Sequence, residues 1–163
     1  MRAAPQPRDD TRLPAGLTRR LGFMLVRASA GMTRLGAETL ASLGIDGRHY
    51  GVLAVLTELG PISQQTLADI LAVDRSTMVS FVDELERNGY VRRGRNPSDR
   101  RAYAIEITGA GAKVQREAAE LLEECELHYL DALSSAERRT LLELLGRLVA
   151  RDAARTGTIQ VGD

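Results

Sequence analysis

Lysine is almost missing from this 163-residue chain: Lys113 stands alone against 21 arginines. Basic work therefore falls to guanidinium, the better group for bidentate phosphate and guanine contacts; genomic base composition produces the same bias. Cysteine is equally scarce. Cys125 is the only one, which excludes an intrachain disulfide and fits a reducing compartment. No run approaches the roughly 20 apolar residues of a membrane span. The opening stretch, with Arg2, Pro5, Pro7, Arg8, Asp9 and Asp10, lacks the apolar run of a secretion signal, so a cytoplasmic protein is expected. Only His49 and His128 supply imidazole, and they lie far apart. With no nucleophile–base pair, phosphate-binding glycine loop or metal motif, neither an enzyme nor a cofactor is expected.

Net charge is missing too, with 22 basic against 22 acidic side chains. A zero sum argues against a nucleic-acid binder, which carries a basic footprint. The sum hides a cancellation. Residues 87–101 hold six arginines and one aspartate, whereas residues 109–163 hold 7 basic and 10 acidic side chains.

Apolar residues make up 44% of the chain, enough for a core. Residues 1–14, rich in Pro, Arg and Asp, read as an arm. A helix is expected from about Leu17 to Ser42, with two overlapping stripes (Leu17, Leu21, Met24, Ala28; Leu25, Ala28, Met32, Leu35) that imply burial on more than one side. Asp46 can cap a second helix to Leu59, stopped by Gly60-Pro61. Ser63 caps a third through Leu71, and Asp74 a fourth with Met78, Phe81, Val82 and Leu85 inward, closed by Gly89. A strand at Tyr90–Arg93, a polar turn and an alternating return strand from Arg101 to Ile107 form a hairpin, with Tyr103, Ile105 and Ile107 on its inner face. Thr108 caps a long helix to Leu133 whose stripe includes Cys125, which predicts a buried, inert thiol. Ser134 and Glu137 form a capping box for a last helix to about Ala154. The fold class is mainly α with a small β-hairpin. The expected divisions are 1–14, arm; 15–45, N-terminal helix; 46–108, helical lobe with hairpin; 109–154, C-terminal helices; 155–163, tail.

Gln65 to Leu85 fits helix-turn-helix spacing. Ala68 is small, as a close crossing requires. Leu71 and Val73 flank the turn, and Met78 and Phe81 return to the core. Ala72 departs from the pattern, since glycine is usual there and alanine tolerates positive φ poorly; a differently shaped turn is expected. A hairpin directly after the fourth helix is a wing, and Arg95, Arg100 and Arg101 on its tip can enter a minor groove.

Residues Leu67 to Leu71, Asp74 to Val79 and Val82 to Val91 resemble the DNA-binding lobe of MarR-type regulators. The wing Asp99-Arg100-Arg101 and the Ile107-Thr108 step resemble the family's Asp-x-Arg signature and Leu-Thr step, with isoleucine in place of leucine. The resemblance implies a winged helix-turn-helix flanked by long dimerisation helices. It implies a homodimer on a pseudo-palindromic double-stranded operator, usually a repressor released by a small phenolic or aromatic ligand. Apolar surface on the first and last helices supports the dimer separately, with Leu17, Leu21, Leu141, Leu145 and Leu148 as the candidate seam.

On DNA, Arg75 at the start of the fourth helix is the candidate guanine contact. Ser76 and Thr77 are candidate phosphate contacts beside a helix N-terminus, with Ser80 on the same outer face. Ser63, Gln64 and Gln65 are further backbone contacts. Arg95, Arg100 and Arg101 act through the wing, with Asp99 orienting Arg101. Met24, Arg27, His49 and Tyr50 are candidate lining residues for an effector pocket. Glu124, Cys125, His128 and His49 are zinc ligands by type, but two histidines are too few for a sensing cluster. The competing reading is a winged-helix module used for protein contact only; the arginine tip and the Arg-Ser-Thr helix start argue against it.

Overall fold

Capping chemistry written into the sequence sets most helix boundaries in the computed structural model, which describes residues 13–95 and 103–156. The short helix α1 (Ala15–Thr18) is followed by α2 (Leu21–Leu40) and a 3₁₀ turn that ends on Gly44 at φ 67°. One continuous first helix was expected. It breaks at Arg20, whose backbone is extended; no proline or glycine at that point announces the break.

Asp46 caps α3 (Gly47–Leu59), and Ser63 caps α4 (Gln64–Ile70) by accepting from the Thr66 amide at 3.0 Å. Asp74 caps α5 (Arg75–Arg87), and Gly89 follows at φ 73°. Strands β1 (Val91–Arg95) and β2 (Tyr103–Ile107) pair antiparallel, Val91 opposite Ile107 and Arg95 opposite Tyr103. Thr108 caps α6 (Gly109–Tyr129) through the Gly111 amide. The Ser134–Glu137 capping box then opens α7 (Ser135–Thr156). The architecture is a winged helix-turn-helix (α3 to β2) between long helices. Wing residues 96–102, including Asp99, Arg100 and Arg101, lie outside the described residues, as do most of the arm and tail.

The main core joins Val52, Leu53 and Leu56 of α3, Leu67 and Ala68 of α4, the inner face of α5, Val91 and Ile105. Each large aliphatic side chain buried there contributes about 1.5–3 kcal/mol. A smaller cluster of Leu40, Ile45 and Ala118 joins the end of α2 to α6. Higher up, Tyr129 donates its hydroxyl to the Ala28 carbonyl at 3.0 Å, and Gly31 leaves room for that ring.

The return strand departs from simple alternation. Ala104 is buried, whereas Tyr103 is 74% exposed. β2 is the middle of three extended segments, because Ile62 exchanges hydrogen bonds with Ile105 on its far edge (2.8 and 3.3 Å). Ala104 is thus hemmed in on both edges, while Tyr103 sits beyond the core at the wing's outer end. The first helix also departs from expectation: within one chain only Leu40 of α2 is buried.

Gly111 marks the closest approach between the wing and α6. A Cβ there would fall on the carbonyl oxygen of Tyr90, which is backbone and cannot swing away. Gly111→Ala should therefore cost about 1–3 kcal/mol in urea unfolding. Unchanged stability would mean that α6 and the wing do not meet as described.

Candidate nucleic-acid interface

The helix-turn-helix depends on a close crossing of α4 and α5. Ala68 is buried at that crossing, and its carbonyl accepts the Val73 amide at 3.0 Å. Between the helices Ala72 takes φ 51°. The expectation of a reshaped turn is thereby corrected: alanine adopts the left-handed conformation that glycine usually supplies. The cost is about 1–2 kcal/mol, and Leu71 and Val73, packed against the core on either side, hold the turn in place.

α5 buries Met78, Phe81, Val82 and Leu85 and exposes Arg75, Ser76, Val79, Ser80, Asp83 and Arg87. The expected contact residues Arg75, Ser76 and Ser80 therefore share the outer surface, and Thr77 lies at its margin, half-buried. Val79 belongs with them and was missed, because an apolar residue beside Met78 reads as core. Arg75 forms no ion pair among the described residues. Asp74 accepts the hydroxyls of both Ser76 and Thr77 and, at 2.9 Å, the Thr77 amide. The Ser76 and Thr77 hydroxyls hold its carboxyl far below the usual carboxylate range. Both hydroxyl protons are thus already given, and a phosphate contact by either would first take its proton from Asp74. Ser80 points back to the Ser76 carbonyl at 3.4 Å. At the start of α4, the Ser63 hydroxyl oxygen accepts the Thr66 amide and lies 2.8 Å from the Thr66 hydroxyl, and Gln65 donates to Asp69 at 2.8 Å. Gln64 is half-buried.

The arginine-rich run divides into two groups. Arg92 pairs across the hairpin with Glu106 at 2.8 Å. Arg93 reaches back to Asp83 and Glu86 of α5, and its amide donates to Glu86 at 3.0 Å. Burial pulls the Arg93 guanidinium down, but Asp83 and Glu86 outweigh it and raise it above its ordinary value. These two arginines tie the wing together and clamp it to α5. Arg87 and Arg95 are exposed and make no ion pair among the described residues.

Between α2, the start of α3 and α6 lies an open cleft of about 560 Å³, lined by Met32, Gly36, Leu40 and Leu122 with Asp46 and Arg48 at its polar end. The four expected lining residues do not line it. Met24 and Arg27 sit farther toward the start of α2 and are exposed. His49 turns to Glu84, 2.9 Å away, and Tyr50 packs on the small Leu40 cluster. Arg48, next to His49, is the basic group that this cleft holds. Among the described residues no group of three His, Cys, Asp or Glu side chains could hold a metal ion. Cys125 is buried.

At the other end of α2, Leu21 and Leu25 meet Leu141, Leu144, Leu145 and Leu148 of α7 around an apolar cleft of about 660 Å³. Leu17 is exposed on α1. The expected seam residues on α2 and α7 thus share one face, still open to solvent.

Comparison with known proteins agrees with this geometry. The MarR family model matches residues 48–103. A candidate transcriptional regulator of the hcr operon of Thauera aromatica is 34% identical over 134 residues, covering 82% of this chain and 81% of that protein. The structure of CouR from Rhodococcus jostii RHA1, bound to p-coumaroyl-CoA, superposes with a TM-score of 0.76 at 26% identity, covering 83% of this chain and 95% of that one. A MarR variant from Escherichia coli in complex with operator DNA superposes with a TM-score of 0.72 at 26% identity, covering 78% and 92%.

The Asp74 cap makes the start of α5 sensitive to acid. Its carboxyl titrates below the ordinary value of 3.8 in the folded chain, so its contribution is present above about pH 4 and is lost as pH falls below it. Thermal melts should show Asp74→Ala less stable than wild type at pH 7, with the gap closing as pH drops below 4. A gap constant with pH would remove the cap from this role.

Proposed function

The chain belongs to the MarR family of transcriptional regulators, and from that premise we propose that it is a cytoplasmic, homodimeric repressor of a pseudo-palindromic operator, released by a small aromatic ligand. The observation that carries the DNA part is the seating of α5. Its inner face is locked in the core, its outer face is polar apart from Val79, and Arg75 stands at its start without an ion pair among the described residues.

In the proposed complex the two α5 helices of a dimer enter successive major grooves, about one helical turn apart. Arg75 takes guanine O6 and N7. Ser76, Thr77 and Ser80 meet the backbone or base edges, the first two after release from Asp74. Ser63, Gln64 and Gln65 approach the phosphates from α4. The wing places Arg95, Arg100 and Arg101 in the flanking minor groove, with Asp99 orienting Arg101. The acidic C-terminal helices repel DNA from the far side.

The dimer is supported by unburied leucine. Leu21 is 70% exposed, Leu142 72% and Leu148 52%, and α7 buries none of its described side chains within the chain. A second copy of the same surface is the symmetric means of covering it. The seam is built on Leu17, Leu21, Leu141, Leu145 and Leu148. The effector site is the cleft beside Arg48, whose apolar walls and single guanidinium suit an aromatic ring bearing an anionic group. The relative that holds p-coumaroyl-CoA supports an aromatic effector.

Sequencing the DNA that the protein retains from its own genome identifies the operator. On that operator Arg75→Ala should lose about 1–3 kcal/mol and relax preference at one position per half-site. Equal weakening on every sequence would make Arg75 a phosphate contact. Wild-type affinity should fall steeply with salt, because each neutralised phosphate releases counterion; a flat salt titration contradicts DNA binding.

The dimer has its own check in sedimentation. Leu21→Glu with Leu148→Glu should convert the protein to monomer, or leave it unable to fold soluble. A dimer that survives both charges would place the seam elsewhere.

A further inference from the structure

One turn of backbone connects the cleft to the recognition helix. Asp46 caps α3 by accepting the amides of Arg48 and His49 at 2.9 and 3.0 Å. Its own amide donates back to His49 Nδ1 at 3.4 Å. The box is closed by an imidazole where glutamate or glutamine is usual. Nδ1 also lies 3.2 Å from Asp46 Oδ1, and because a carboxylate only accepts, Nε2 carries a proton toward Glu84. That proton is donated to Glu84 Oε2, 2.9 Å away on α5.

The same turn grips α5 at a second point. The Arg48 guanidinium lies 5.0 Å over the ring of Phe81, and the His49 ring meets Phe81 edge-on at 6.0 Å. Arg48 is also held by Asp46, its Nε 2.9 Å from Oδ2. Burial pushes the Asp46 carboxyl up, but Arg48 and the capping amide of His49 outweigh it and hold it below its ordinary value. Asp46, Gly47 and Arg48 meanwhile form the polar end of the cleft.

Three neighbouring acids on α5 are thus committed to two different sides. Asp83 and Glu86 answer to Arg93 of the wing, and Glu84 answers to His49 of α3. The apolar face of α5 sets its depth in the core. That buried stripe also fixes its coarse rotation, and the two ionic tethers act within the range it leaves.

We propose that His49 is a positioning residue that couples the cleft to α5. An occupant that takes Arg48 from Asp46, or pushes the Asp46–His49 turn aside, withdraws Nε2 from Glu84 and loosens α5 within the range its buried stripe allows. Its consequence for DNA rests on α5 being the reading helix, as proposed above; the coupling itself does not.

A tethered occupant tests it without knowledge of the natural effector. Ser29 lines the cleft, so Ser29→Cys in a Cys125→Ala chain, treated with benzyl methanethiosulfonate, carries a benzyl group there by mixed disulfide. Amide hydrogen exchange is then followed by mass spectrometry. The benzyl group should speed exchange in the peptide spanning α5 about three- to tenfold, the range one hydrogen bond sustains. In a Glu84→Ala background α5 should already exchange fast, with no further change on labelling. Glu84→Gln keeps an acceptor for Nε2 and should restore the response. An equal response with and without Glu84, or none in the parent chain, overturns the proposal. Operator titration of the same samples keeps the two readings apart: absence of DNA binding would sink the DNA reading and leave the exchange result standing.

Discussion

The seating of α5 is the constraint on which the rest depends. Met78, Phe81, Val82 and Leu85 occupy one stripe of a short helix and are all buried, so the helix cannot turn far without exposing several kilocalories per mole of apolar surface. That lock leaves Arg75, Ser76, Val79 and Ser80 outward. It also explains why α4 must cross so closely at Ala68, and why Ala72 accepts an unfavourable φ. A looser turn would pull one helix off the core that holds the other.

Charge acts on this apolar frame as a second layer. The overall balance of 22 against 22 conceals a division of labour among the arginines. Arg92 and Arg93 neutralise acids and bind the wing to itself and to α5. Arg75, Arg87 and Arg95 are exposed and carry no ion pair among the described residues. The basic run is therefore less a uniform patch than a clamp with a few outward cations. Partly exposed pairs of this kind add little stability. Their value lies in direction: they fix where a narrow wing leaves the core.

Legibility in the sequence follows the range of the interaction. Asp46, Ser63, Asp74, Thr108 and Ser134 were all legible as caps, because a cap is decided within four residues. The inward stripe of α5 was legible because helical period alone defines it. Ile62 was not, since a single residue pairing with a strand 43 positions away leaves no periodic trace. The partners of Arg93 were hidden for the same reason. The expected pocket residues do not line the cleft: Met24 and Arg27 lie too near the start of α2, and His49 points to Glu84 although its neighbour Arg48 faces the cleft. Which of two adjacent side chains turns inward is settled by packing, and the sequence holds no local signal for it.

The account stands on two α5 helices presented together by one dimer, each flanked by a wing. Hydroxyl-radical footprinting on the recovered operator tests that geometry most directly. The account predicts two protected tracts related by a two-fold axis, centred about 10 base pairs apart or a multiple of that, with weaker protection of the outer minor grooves. A single tract, or protection without regular spacing, would contradict it.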